Sequence, residues 1–190
     1  FSIVFVLFGP LFKSDKIINK NLSIVYREIS NVEKKNIKNM MWSNYGRVFV
    51  EYMFLKKFRE NLLPNNHIKL KGLEYIETII KQKKRAIFVS GHFANFELMS
   101  MELTKYGVNL AAIYRPLNNF FINPLMENMR KKYICKNQIK KGIGGTREAM
   151  KFLKNNISVA LMIDQRLSEG EKINLFGVPA LTTTLPAQLA

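Results

Sequence analysis

The sequence predicts an α/β fold, with a mostly parallel central sheet flanked by helices. Three observations predict it. Short apolar runs rich in β-branched residues, "RAIFVSG", "VNLAAIY" and "ISVALMI", recur along the chain. Between and around them, "LEYIETIIKQKK", "NPLMENMRKKY" and "GGTREAMKFLKNN" repeat apolar residues at helical spacing. Strands alternating with helices are the pattern of βαβ units, whose crossovers leave the strands parallel.

The chain opens with "FSIVFVLFGPLF", apolar for about three turns if helical. That is too short to span a bilayer, which needs roughly 20 residues. Lys13, Lys16 and Lys20 follow the apolar run, as the cytoplasmic flank of a span would show. A signal peptide has the opposite order. The segment reads either as the truncated end of a membrane anchor or as a core helix or strand. A first residue Phe1 and a last residue Ala190 inside an apolar, Thr-rich run suggest part of a longer protein.

Residues 14–60 are expected to be helical. "SNVE", Ser30 to Glu33, is a capping box, in which hydroxyl and carboxylate reciprocally satisfy unpaired backbone donors. Ile37, Met41, Val48, Tyr52 and Leu55 then form one apolar stripe. "NLLPNN", Asn61 to Asn66, breaks the pattern. It divides a helical N-terminal segment with a partial anchor, 1–60, from a C-terminally incomplete α/β core, 61–190. Within the core "HIKLKG" alternates as a strand. The helix after "RAIFVSG" runs through Leu103, and "NPLMENMRKKY" takes Asn123 as cap with Pro124 at its first position.

Hydrophobic residues make up 47% of the 190 and aromatic ones 12%, enough for a sizeable core. The formal charge of +16 suits an acidic partner: nucleic acid, an anionic membrane surface or an acidic protein. A nucleic-acid module would interleave stacking aromatics with its basic runs, and "KQKKR", Lys81 to Arg85, has none. The single Cys135 excludes an internal disulfide framework and a cysteine zinc site, and fits a reducing compartment.

Three apolar strands end in polar residues: "AIFVSGH" in His92, "AAIYR" in Arg115 and "ALMID" in Asp164. Open α/β sheets bind ligands outside the carboxyl ends of their strands, so a base, a cation and an acid together mark a site. His92 and Glu97 are five apart, about 140° round a continuous helix, and would not share its face. The zinc motif H-E-x-x-H needs four-residue spacing and a second histidine, so metal binding is not expected. With His92 in the turn before the helix, its ring can instead swing over Glu97. A carboxylate on one ring nitrogen fixes the tautomer and leaves the other to take a proton. On spacing alone, a satisfied histidine beside a surface glutamate stands as the alternative. No G-x-S-x-G elbow accompanies the pair, and Cys135 follows "KKYI" with no histidine near it in sequence. A base without a protein nucleophile points to activation of a substrate hydroxyl or water.

"GHFANFE" resembles the His-x4-Asp/Glu motif of glycerolipid-type acyltransferases. "IYRPLNNFFINPLMENMR", "GGTREAMKFLKNN", "VALMIDQR" and "INLFGVPALTTT" narrow the resemblance to the lipid A biosynthesis acyltransferases, the lauroyl and myristoyl transferases of Gram-negative bacteria. "NVEKKNIKNMMWSNYGRVFVEY" is similar to that family's helical segment ahead of its core. The resemblance covers essentially the whole chain. It implies transfer of a fatty acyl group from acyl-acyl carrier protein to a hydroxyl of a lipid A precursor. The implied place is the cytoplasmic face of the inner membrane, and no cofactor or metal is implied. It also implies His92 as general base with Glu97 as its partner, and Arg130 as a second essential group. Arg115 and Asp164 match block positions whose role the resemblance leaves open. A glycerophospholipid or glycolipid acceptor would require the same chemistry.

Leu125 and Met129 are expected to face inward, with Arg130 at the edge of that face and Lys131 and Lys132 solvated. "KQKKR" and "RKK", Arg130 to Lys132, are candidates for contact with phosphate or acidic protein, or are solvated faces. "GIGG", Gly142 to Gly145, lacks the Lys-Ser/Thr of a nucleotide loop and reads as a turn. Phe93, Phe96, Met99 and Met101 either line an acyl channel or pack the core.

Overall fold

The structure is a computed structural model that describes residues 1–11, 14–63, 67–165, 167 and 170–190. The chain forms two compact units. One comprises Phe1–Phe54 with Glu171–Leu181, the other Leu55–Gly170 with Thr182–Ala190.

In the first unit α1 (Ser2–Phe8) packs on α3 (Asn31–Glu51), with α2 (Asp15–Val25) between them in sequence. Two glycines allow the close approach. A Cβ on Gly46 would lie 2.9 Å from the Ser2 Cα, and one on Gly9 would enter the Trp42 indole. The Phe5 and Phe49 rings add a tilted contact at 5.7 Å. Among the described residues, no helix is long and apolar enough to cross a membrane. The capping box forms as expected: the Glu33 amide donates to Ser30 Oγ at 3.2 Å, and the Ser30 amide to Glu33 Oε2 at 2.9 Å. The apolar stripe is shorter than expected. The α-helix stops at Glu51, so Tyr52 falls in a 3-10 turn and Leu55 in the next helix. Trp42 and Gly46 are the buried residues of α3, since close packing selects one large and one minimal side chain there.

The second unit begins with α4 (Leu55–Arg59). The Arg59 guanidinium donates to the Met101 carbonyl at 3.3 Å and to the Thr104 hydroxyl, tying α4 to later elements. "NLLPNN" follows, with Asn61 at a φ of 55°; Pro64 to Asn66 lie outside the described residues. "HIKLKG" is not a strand. Residues 67–72 have no regular structure and lead to Gly72, whose φ of 78° starts α5 (Leu73–Lys81). Alternation alone makes no strand without a neighbour to receive its backbone hydrogen bonds.

Four strands then form one parallel sheet: β1 (Ile87–Ser90), β2 (Leu110–Tyr114), β3 (Asn137–Lys140) and β4 (Ser158–Met162), in the order β1-β4-β2-β3. The intervening helices are α6 (Glu97–Lys105), α7 (Ile122–Met129) and α8 (Ile143–Lys154). The α/β class and its parallel sheet are therefore as predicted. β3 is an addition: "NQIK" buries only Ile139, so its sequence lacks the apolar signature of the central strands. Ala111, Ile139, Ala149, Leu153 and Val159 form a core cluster where α8 packs on the sheet. Burying each large aliphatic side chain there contributes about 1.5–3 kcal/mol. Gly145 is essential to that contact, because a Cβ would collide with the Lys140 carbonyl.

α7 differs from expectation in three ways. Asn119 supplies the turn before it, accepting from the Phe121 and Ile122 amides, while Asn123 lies inside the helix and accepts from the Leu117 amide. Pro124 is therefore third in the helix, where the backbone still lacks an intrahelical acceptor. Leu125 is 61% exposed rather than inward, and the helix continues as a π-helical turn over Arg130–Ile134. Within that turn Arg130 and Ile134 are buried, while Lys131 and Lys132 are exposed as expected.

The chain ends in a hairpin of β5 (Glu171–Leu175) and β6 (Val178–Thr182), then α9 (Leu185–Leu189). Phe176 and Gly177 turn the hairpin at φ values of 53° and 80°. A two-residue loop with both φ positive matches the right-handed twist of its strands.

Candidate active site

The site follows from strand register. β1 and β4 are neighbours, with Ser90 paired to Met162. Two residues beyond each lie His92 and Asp164. The Asp164 carboxylate receives the histidine twice: the His92 amide donates to Oδ2 at 2.6 Å, and Nδ1 lies 2.7 Å from Oδ1. A carboxylate only accepts, so Nδ1 carries the hydrogen. Nε2 is 3.2 Å from the side-chain nitrogen of Gln165, which only donates, so Nε2 presents its lone pair. The network thus sets the tautomer a general base needs.

Local sequence supports the geometry. Gly91 lets β1 close on β4: a Cβ there would lie 2.7 Å from Phe93 Cε2 and 3.0 Å from Asp164 Oδ2. The Phe96 ring packs edge-on to the imidazole at 4.5 Å. Ala94 bends the connecting turn with a φ of 42°, in the region non-glycine residues rarely occupy. Burial acts to raise the Asp164 carboxyl. The hydrogen bonds from the His92 ring and amide outweigh it and hold the carboxyl below its ordinary value.

A second ionic pair lies deeper. Glu97 opens α6 and is 8% exposed; Arg130 opens the π turn and is 9% exposed. Arg130 donates from Nε at 2.8 Å and Nη2 at 2.6 Å, both to Glu97 Oε1. Its guanidinium also lies 5.6 Å from the centroid of the Tyr114 ring, at the end of β2. Glu127 accepts from the Tyr114 hydroxyl and from Asn123 Nδ2, the latter at 2.8 Å, and both bonds hold its carboxyl below the ordinary value. Burial, then the bond to Glu127, pushes the Tyr114 hydroxyl well above its ordinary value.

The structure therefore joins the expected site residues differently from the sequence reading. His92 is bonded to Asp164, and Glu97 to Arg130. Parallel register sets His92 beside Asp164, a relation between strands 72 residues apart that no local spacing reveals. Arg115 follows β2 on the same edge of the sheet and is exposed. Arg130 is buried in an ion pair rather than poised at the edge of a helix face. Gln165 and Tyr114 were missed by sequence reasoning; their signal was adjacency to strand-end residues already singled out. Of the candidate channel residues, Met101 is fully buried core, Phe96 touches His92, and Phe93 is exposed. "KQKKR" is exposed ahead of β1, on the edge of the sheet opposite His92.

The arrangement can take a proton from a hydroxyl presented at Nε2, with a fixed carboxylate behind the ring. A search of curated proteins finds no match to the chain. Residues 4–190, almost its full length, match the family described as bacterial lipid A biosynthesis acyltransferase. With that match on a parallel α/β sheet carrying a poised histidine, the chain belongs to the bacterial lipid A biosynthesis acyltransferase family.

Proposed function

We propose that the enzyme transfers a fatty acyl chain from acyl-acyl carrier protein to a hydroxyl of a lipid A precursor, with His92 as general base. The observation that carries the reading is the set tautomer of His92, with Nδ1–H on Asp164 and the Nε2 lone pair facing Gln165. The acceptor hydroxyl displaces the Gln165 amide and donates to Nε2. As the proton passes to Nε2, the hydroxyl oxygen attacks the thioester carbonyl and the carbonyl electrons move onto its oxygen. Asp164 stabilises the imidazolium through Nδ1–H. Collapse of the tetrahedral species expels the carrier thiolate, which takes the proton from Nε2, leaving an ester and a free thiol.

Arg115, exposed beyond β2, is the cation we assign to a substrate phosphate or the developing oxyanion. Glu97 and Arg130 act as positioning residues, fixing the start of α6 immediately after the His92 turn. The His-x4-Glu spacing favours a second arrangement, in which Glu97 exchanges Arg130 for the His92 ring during turnover. We place the reaction at the cytoplasmic face of the inner membrane, where a soluble carrier protein and a lipid acceptor meet.

The test is acyl transfer by the purified full chain to a lipid A precursor, a glycerophospholipid and a glycolipid, with His92→Ala as control. Transfer to the lipid A precursor is expected, falling by about 100-fold or more in the variant. Preference for the glycerophospholipid, or undiminished turnover by His92→Ala, would overturn the proposal.

A further inference from the structure

The lone pair that makes His92 a base is covered by a side chain. Nε2 lies 3.2 Å from the side-chain nitrogen of Gln165, which donates to it, while Nδ1 is held by Asp164 at 2.7 Å. The ring itself is open to water: the His92 side chain is 29% exposed and that of Asp164 37%. Gln165 is exposed as well, so the bond to Nε2, and not burial, keeps its amide there. Its backbone is set by the sheet. The Ile163 amide donates to the Ser90 carbonyl at 3.0 Å, carrying the β1–β4 pairing to within two residues of Gln165.

An imidazole with its lone pair open to solvent would activate water as well as an alcohol. Beside a bound acyl thioester, that water would compete with the acceptor. Its oxygen would attack the thioester carbonyl as one of its protons passed to Nε2. Collapse would break the carbon–sulfur bond, and the thiolate would take the proton from Nε2, giving a fatty acid and a free thiol.

We propose that Gln165 sets the choice between alcohol and water, occupying Nε2 until a bound acceptor displaces it. Water brings one hydrogen bond to that contest. A lipid hydroxyl arrives with the binding energy of the whole acceptor behind it, and part of that energy displaces the amide. Gln165 is thus a specificity-determining residue for the transfer reaction. The inference rests on His92 as the base of acyl transfer and adds what keeps that base from hydrolysing the donor.

The test uses the full chain carrying Gln165→Met, which keeps the side chain's length and removes its donor, with acyl-acyl carrier protein as probe. Fatty acid release without acceptor, divided by transfer to saturating lipid A precursor, should rise about three- to tenfold. That factor corresponds to the net contribution of one hydrogen bond. The KM for the acceptor should fall, since the acceptor no longer displaces a bonded amide. Gln165→Ala should raise the ratio likewise. In substrate-free protein with isotope-labelled histidine, the nitrogen NMR signal of His92 Nε2 should move in Gln165→Met toward that of an unbonded lone pair. His67, the other histidine, is the internal reference.

An unchanged or lower ratio would overturn the proposal, as would an unmoved Nε2 signal. A rise confined to Gln165→Ala would also overturn it, by making the effect one of bulk and not of the hydrogen bond. Hydrolysis and transfer falling together would leave the ratio unchanged and place the amide at the developing oxyanion. A wild type that transfers to no acceptor would count against the proposed reaction, whereas the NMR comparison tests the cap by itself.

Discussion

His92 and Asp164 stand two residues beyond paired strand ends, and the Asp164 carboxylate holds both the backbone amide and Nδ1 of His92, at 2.6 and 2.7 Å. This double contact fixes ring position and tautomer together. Asp164→Asn should therefore lower kcat by about 100- to 10,000-fold with little change in KM, because an amide can hold the wrong tautomer as readily as the right one. Steady-state kinetics on the folded variant checks this. Near wild-type kcat would mean that Asp164 does not set the base.

The same carboxylate gives a prediction for acid stability. Its folded-state pKa is depressed, so the stabilisation it contributes is present above the ordinary aspartate value of about 3.9 and is lost as pH falls through the lower folded value. Asp164→Asn should flatten that acid limb. Thermal melts of both proteins from neutral pH down into the acid range would show it, with the two curves converging at the acid end.

Gly91→Ala should impair catalysis more than folding. The added methyl would sit 3.0 Å from Asp164 Oδ2 and 2.7 Å from a Phe93 ring carbon. Exposed Phe93 can rotate away, but the carboxylate is held by two bonds and must shift. A loss of kcat with an unchanged circular dichroism spectrum is expected, and unchanged kcat would show that the gap tolerates a methyl.

Cys135 should be dispensable. Its thiol is buried, its pKa is pushed up to about 11 chiefly by that burial, and its sulfur is bonded to the Leu110 carbonyl at 3.1 Å. Such a thiol is a poor nucleophile. Cys135→Ser should keep turnover within about threefold, and mass spectrometry should find no acyl adduct on Cys135 during turnover.

The central strands were legible because β1, β2 and β4 are short apolar runs bounded by turn residues, and the strand-end rule then selected His92, Asp164 and Arg115 together. What escaped was pairing across the fold. Nothing near His92 in sequence says that β4, and not β2, lies beside β1, and that neighbour decides which carboxylate meets the ring. β3 escaped because a sheet-edge strand with one buried residue has no apolar pattern, and "HIKLKG" misled because a pattern was present without a partner strand. Arg130 was misplaced because Leu125, expected to face inward, is 61% exposed, so the buried face of this helix lies elsewhere round it and includes Arg130.

The buried pair with Glu97 makes Arg130 the most informative position to vary. Nε and Nη2 both reach Glu97 Oε1, at 2.8 and 2.6 Å, in a setting where each partner is less than a tenth exposed. An ammonium has no second nitrogen to span that geometry, so Arg130→Lys is not conservative here. Breaking a buried pair by removing one partner costs about 3–5 kcal/mol, because it leaves a charge buried without its counterion. Glu97→Gln and Arg130→Met should each lower the melting temperature substantially, and the double variant should be less destabilised than the sum of the two, since it leaves neither charge behind. Lys131→Ala and Lys132→Ala, on the exposed side of the turn, should change stability by no more than about 0.5 kcal/mol. Activity separates structure from chemistry. If the pair only positions α6, Glu97→Gln and Arg130→Met should lose similar activity, and the double variant should recover part of it along with its stability. A double variant that regains stability but no turnover would assign one of the two charges to the reaction itself.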